Sequence, residues 1–96
     1  MVTIWTPGAE AQLLKAYIHI LKDSPQNAQR VKDQIIDLSM ELPKNPERFP
    51  LDKYRRNNDG TFRVFEIYSY RVSYRVTKYH ILIVRLRHTS MTPSLY

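Results

Sequence analysis

Apolar residues in this chain change period twice, and the changes divide it into elements. Val2 to Trp5 is a short β-prone run, followed by Thr6-Pro7, an N-cap residue with proline at the first helical position. From there Leu13, Leu14, Tyr17, Ile18 and Leu21 recur at three- and four-residue spacing, which predicts a helix with one buried stripe, and Glu10 in its first turn suits the helix dipole. Ser24-Pro25 repeats the start signal. Ala28, Val31, Ile35, Leu38 and Leu42 then step by three, four, three and four until Pro43 ends the run. Two helices joined by so few residues form an antiparallel αα-hairpin.

Residues 43 to 60 hold Pro43, Pro46, Pro50 and the turn cluster Asn57-Asn58-Asp59-Gly60, with Lys53, Arg55 and Arg56 between them, and read as a basic loop. Three β-rich runs follow, Phe62 to Tyr68, Tyr70 to Thr77 and Ile81 to His88, separated by gaps that fit only hairpins. The predicted fold class is α+β in the order β-α-α-β-β-β, with the helical hairpin packed on one face of a small antiparallel sheet. Residues 1–96 are expected to form a single domain.

Register decides which side chains share a face, because side chains alternate along a strand. In the middle run Tyr70, Val72, Tyr74 and Val76 point one way and Arg71, Ser73, Arg75 and Thr77 the other. A two-residue loop at Lys78-Tyr79 sets Arg71 beside Leu86, whereas a three-residue loop, Lys78 to His80, sets Val72 beside Leu86 and Arg71 beside Arg87. The odd loop segregates the faces. It gathers Arg71, Arg75, Arg85 and Arg87 on the side away from the helices and leaves Ile81 and Ile83 there as apolar candidates for partner contact. A two-residue turn at Tyr68-Ser69 puts Glu66 across from Arg71.

Charge sharpens this picture. The formal net charge is +6, and all of the excess lies in the second half: residues 47 to 96 carry ten Lys/Arg against four acids, while residues 1 to 46 carry five of each. A one-sided basic surface attracts polyanions, either nucleic acid or an acidic protein segment, although a plain solubility charge gives the same total. The absence of cysteine removes disulfides and zinc–thiolate sites, and three histidines without paired spacing argue against a metal, so no cofactor is expected. No run approaches a membrane span and MVTIWTPGAE lacks signal-peptide features, so a cytoplasmic protein without membrane attachment is expected.

Like charges crowded onto adjacent strands repel, so four clustered arginines lower stability unless something anionic occupies them for part of the time. Guanidinium groups bind phosphate oxygens bidentately and can stabilise a phosphorane-like transition state. Metal-free RNA cleavage also needs a base for the 2′-hydroxyl and an acid for the leaving oxygen, which Glu66, His88 or Tyr96 can supply. The bland readings stand beside these. Glu66–Arg71 is equally a cross-strand ion pair worth under about 1 kcal/mol. His88, which strict alternation places on the helix side with Leu86, is equally an edge histidine, and most of the seven tyrosines are core residues.

The run Tyr70-Arg71-Val72-Ser73-Tyr74-Arg75-Val76, followed by Ile81-Leu82-Ile83-Val84-Arg85-Leu86-Arg87-His88, resembles the end of RelE/ParE-type toxins. Trp5-Thr6-Pro7-Gly8-Ala9-Glu10 and the helical hairpin resemble the front of the same superfamily, and the tail carries a His-Thr-Ser-x-x-Pro-x-x-Tyr pattern. The resemblance implies the toxin of a bacterial type II toxin–antitoxin (plasmid stabilisation) system, held in a hetero-oligomer by a cognate antitoxin with an acidic or amphipathic segment. It implies one of two targets: mRNA on the ribosome, cleaved by RelE-like endoribonucleases, or DNA gyrase, inhibited without nuclease action by ParE-like members. On the first reading, which is preferred, Arg71, His88, Tyr96 and Glu66 are the catalytic candidates, and Lys53, Arg55, Arg56, Arg75, Arg85 and Arg87 bind RNA phosphates. Ser90 and Met91 stand where RelE-like enzymes present a further arginine, which favours the second. An inactive basic binding module is the third reading.

Overall fold

A computed structural model of the chain, describing residues Met1–Tyr96, contains β1 (Val2–Trp5), α1 (Pro7–Leu21), α2 (Pro25–Glu41), a single 3-10 turn (Leu42–Lys44), β2 (Phe62–Ile67), β3 (Tyr70–Val76) and β4 (His80–His88). Both helices start where the sequence signals them. Thr6 Oγ1 accepts from the Ala9 amide at 3.3 Å and Ser24 Oγ from the Asn27 amide at 3.2 Å, with Pro7 and Pro25 in the first helical turn. The helices lie on one face of a four-stranded sheet of order β1-β4-β3-β2. This is the expected α+β arrangement with one difference: β1 joins β4 in parallel, so the sheet is mixed rather than purely antiparallel.

The three-residue loop Lys78 to His80 chosen from sequence is not found, and the β3–β4 hairpin contains both registers instead. Near the turn Tyr74 faces Ile83 and Val76 faces Ile81, and Thr77 donates to the His80 carbonyl at 3.0 Å, so the connection is the two-residue loop Lys78-Tyr79. Beyond a shift between Ser73 and Tyr74, Arg71 faces Arg87 and Val72 faces Leu86, as the three-residue loop predicts. The extra residue is a β-bulge around Val84-Arg85. Its cause is the run Ile81 to Leu86, in which no single alternation brings Ile81, Ile83 and Leu86 to one face. An unbulged hairpin turns either Leu86 or both isoleucines outward, losing about 1.5–3 kcal/mol per side chain, against about 1 kcal/mol for a disturbed ladder bond. Ile81 and Ile83 are therefore fully buried against the helices and are not partner contacts on the basic face.

The bulge also positions the helices. The Ile83 carbonyl accepts from the Thr6 amide at 3.1 Å and from the Thr6 hydroxyl at 2.9 Å, so the residue that caps α1 also ties it to β4. Further along α1, Gln12 Oε1 accepts from the Leu86 amide at 2.7 Å, pairing a strand-edge donor that β1 is too short to reach. Facing β4, α1 buries Ala9 and Ala16, with Leu13 and Ile20 half-buried beside them. The expected stripe is thus rotated, and Leu14, Ile18 and Leu21 are exposed at 58, 48 and 38%. Small residues let the helix approach the sheet closely, which the count of large apolar residues does not reveal. Along α2 and into the 3-10 turn the expected stripe holds, with Ala28 and Ile35 of the helix and Leu42 of the turn buried.

Between β2 and β3 the turn residues Tyr68 and Ser69 have φ of 51° and 64°, the left-handed pair of a type I′ hairpin, and Glu66 faces Arg71 as predicted. Residues 50–52 run along the β2 edge through Val64–Pro50 and Asp52–Phe62 backbone bonds, which carry the following loop onto the sheet's second face.

Thr6→Ala removes the cap and the hydroxyl bond to Ile83 together, while the amide bond to the same carbonyl stays. It is expected to lower the free energy of unfolding by about 1–2 kcal/mol, the upper part of the range for a cap, measured by urea denaturation. A loss under about 0.5 kcal/mol indicates that the Thr6 hydroxyl neither caps α1 nor adds to its link with Ile83.

Candidate functional site: an arginine cluster beneath residues 94–96

On the sheet face away from the helices, Arg71 of β3 and Arg85 and Arg87 of β4 converge with Ser73 and with Asp52 and Tyr54 of the basic loop. Strand pairing sets Arg71 directly opposite Arg87 and Ser73 opposite Arg85, so three guanidinium groups leave two adjacent strands on one side. Residues 94–96 fold back over them and leave a void of only about 10 Å³.

Several contacts hold that closure. The Tyr96 hydroxyl donates to Asp52 Oδ2 at 2.5 Å, the Tyr96 amide to the Tyr54 carbonyl at 3.0 Å, and the Arg56 amide to the Tyr96 carbonyl at 2.7 Å. Arg85 lies over the Tyr96 ring at 4.3 Å, with Arg55 at 5.3 Å from the same ring. Arg85 also donates from Nη1 to the Ser94 carbonyl at 3.1 Å and from Nη2 to the Ser94 hydroxyl at 2.9 Å. Asp52, 1% exposed, forms no salt bridge, and its carboxylate is satisfied by Tyr96 and by the Tyr54 amide at 3.0 Å.

Electrostatics follow from this packing. Burial, with Arg87 and Arg71 close by, pulls Arg85 below the usual arginine range. Burial and the bond to Asp52 push the Tyr96 phenol up to about 12. A phenol so shifted stays protonated near neutrality and does not serve as a base there.

The remaining expected site residues are distributed around this cluster. Glu66 sits at its margin, with Oε1 at 3.4 Å from Arg71 Nε, and Arg71 also stacks on Tyr54 at 4.8 Å. From the basic loop, Arg55 covers Phe62 at 4.1 Å, Lys53 covers Tyr54 at 5.3 Å, and Arg56 contributes its backbone. Arg75 turns to Thr61 Oγ1 at 3.2 Å and Asp59 Oδ2 at 3.6 Å, outside the cluster. His88 does not join Arg71 and Tyr96. It lies on the helix side against Tyr70, ring centroids 5.0 Å apart, and its Nδ1 pairs with the Ser90 amide at 3.0 Å. Alternation beyond the bulge puts it there, as strict alternation with Leu86 had indicated. Asp52, Tyr54 and Ser94 were missed. The one available signal was the acid Asp52 immediately before the basic run Lys53 to Arg56.

A second feature lies on the helix side, where α1 and the end of β4 enclose a groove of about 720 Å³. Ala16, Ile18, Leu86 and Met91 supply apolar surface, and Lys15, Lys22 and, from the strand end where it borders both sites, Arg87 supply charge. No group of His, Cys, Asp or Glu residues that could hold a metal ion occurs in the chain, and no helix is long and apolar enough to cross a membrane.

A helical hairpin packed on a four-stranded mixed sheet is the arrangement of the RelE/ParE class of toxin folds. The family model described as the ParE toxin of the type II toxin–antitoxin system parDE matches residues 3–93, and the chain belongs to that family. A solved structure, the chromosomal ParDE toxin–antitoxin system from P. aeruginosa, contains a chain with the same fold: TM-score 0.72, 22% identity, covering 94% of this chain and 97% of that one. No curated protein matches the sequence.

Tyr96 is expected to titrate near 12 rather than 10, so the folded state is stabilised below pH 10 and this contribution is lost as pH rises through 12. Tyrosinate absorbance, recorded as the difference between the native chain and Tyr96→Phe, checks it. A difference transition at about 10 contradicts the buried bond to Asp52.

Proposed function

We propose that the chain acts as a ParE-like toxin that inhibits DNA gyrase by docking on it, without cutting RNA. The observation that carries this reading is that the acid–base candidates do not assemble around one point. The Tyr96 hydroxyl is committed to Asp52, Glu66 pairs with Arg71, and His88 lies on the opposite side of the sheet. General acid–base cleavage needs two groups within hydrogen-bond reach of the same phosphodiester. Family membership supports the toxin part of the reading, and the ParDE likeness favours this target over the ribosome-dependent cleavage preferred from sequence. The purified chain is expected to inhibit gyrase supercoiling in vitro and to leave mRNA intact in a cell-free translation reaction. New mRNA 5′ ends that require translation and vanish in Arg71→Ala, with supercoiling unaffected, overturn it and return the mechanism to RelE-like cleavage.

A cognate antitoxin completes the reading, in a hetero-complex formed through the groove between α1 and β4. Its apolar floor and the cations Lys15, Lys22 and Arg87 fit an acidic amphipathic segment. Ile18 is 48% exposed in the free chain, so Ile18→Glu leaves the core untouched. It is expected to weaken the complex with the neighbouring gene's product by about 10-fold or more in calorimetry, the scale of a contact worth over 1 kcal/mol. Unchanged affinity places the antitoxin elsewhere.

A further inference from the structure

The Ser94 contacts on Arg85 have the form of a ligand. A guanidinium offers paired N–H donors whose spacing matches the two oxygens of a phosphate, and in this chain two oxygens of one residue, the Ser94 carbonyl and hydroxyl, occupy Nη1 and Nη2. Arg85 is only one of three arginines on these strands, and Arg87 has no ion-pair partner. The Tyr96 ring roofs the same site and is fastened to Asp52 and Tyr54. Neutral oxygens of Ser94 thus occupy the Arg85 fork, and the two acids beside the cluster, Glu66 on Arg71 and Asp52 under Tyr96, are fewer than its three guanidinium groups.

The closing segment hangs on a weakly attached arm. Beyond Met91, whose amide bonds to His88, Thr92 and Pro93 are exposed and make no hydrogen bond, and Ser94 and Leu95 are also exposed. Displacing residues 94–96 therefore disturbs neither the sheet nor the helix-side core, which contains none of them.

We propose that residues 94–96 form an internal latch over an oxyanion site made by Arg71, Arg85 and Arg87, and that a phosphodiester strand opens it by replacing the Ser94 oxygens and the Tyr96 roof. Nucleic acid is favoured over an acidic peptide because Tyr54 flanks the arginines, and Tyr96, once released, adds a second ring. Aromatic faces beside phosphate-binding forks accept unpaired bases. Binding of this kind requires no cleavage and is independent of whether gyrase or the ribosome is the target.

The test uses the full purified chain and a fluorescein-labelled 12-nucleotide single strand, as DNA and as RNA, in anisotropy titrations at fixed salt, with no gyrase or ribosome present. Ser94→Ala removes one of the two oxygens on Arg85, and Tyr96→Phe keeps the ring but drops the bond to Asp52. Each is expected to tighten binding about 3- to 10-fold by removing an internal competitor, and Arg85→Ala to weaken it about 10-fold or more. Amide exchange of Arg56 and Tyr96, whose N–H groups depend on the closed latch, is expected to speed up when the native chain is saturated with oligonucleotide. Equal tightening for DNA and RNA identifies the shared phosphodiester as the ligand, and tightening for one alone identifies the sugar as part of the recognition. Unchanged or weaker binding in both Ser94→Ala and Tyr96→Phe, or slower exchange at Arg56 and Tyr96 on saturation, overturns the latch. A thermal melt matching the native chain establishes that each variant is folded. Because the assay contains neither target, its failure leaves the supercoiling result to stand or fall separately.

Discussion

Everything on the two faces of this sheet depends on one extra residue in β4. The segment from Ile81 to Arg87 must deliver Ile81, Ile83 and Leu86 to the helices and Arg85 and Arg87 to the other side, and a regular strand cannot do both. With the bulge between Ile83 and Leu86, the hairpin starts in one register at Lys78-Tyr79 and finishes in the other at Tyr70–His88. On the other side of β4 the parallel pairing with β1 ends at Trp5–Ile83, and the Ile83 carbonyl then takes Thr6, so the start of α1 is fixed next to the bulge.

On the arginine side a thin second layer follows from the first. The loop after Pro50 pairs with the β2 edge, carrying Asp52 under Tyr96 and Tyr54 beside Arg71. Asp52 is a buried carboxylate without a salt bridge, held by an amide and a phenol, and its negative charge helps to keep Arg85 protonated. Three clustered guanidinium groups are thereby tolerated beneath a chain segment instead of a bound anion. The helix side is organised differently. Small residues on α1 bring it close to β4, which leaves Leu14, Ile18 and Leu21 exposed and opens the groove in which the antitoxin is proposed to dock.

Elements carried by local signals were legible in the sequence. Both helix starts, the two-residue turn at Tyr68-Ser69, the Glu66–Arg71 pairing and the Arg71–Arg87 register are all stated by capping residues, turn geometry and alternation. What escaped depends on distant contacts. The inward face of α1 is set by alanines whose value lies in close approach, and the parallel β1–β4 edge has no local marker. The bulge resolves a conflict that period-two reading takes as a choice, which is why Ile81 and Ile83 were placed on the wrong face. In the arginine cluster, charge and alternation mark Arg71, Arg85 and Arg87, whereas Tyr96 enters through the tail pattern of the resemblance. Asp52 and Ser94 owe their positions to the folding back of two irregular segments, which leaves no periodic trace.

The measurement that tests this account most directly is a set of cross-strand backbone NOEs in the β3–β4 hairpin. The bulge requires Tyr74 to pair with Ile83 and Val76 with Ile81 at one end, and Val72 to pair with Leu86 and Arg71 with Arg87 at the other. Both sets in one folded chain support the shared origin of the buried isoleucines and the clustered arginines. A single register along the whole hairpin contradicts it, because either Leu86 or Ile81 and Ile83 must then leave the core.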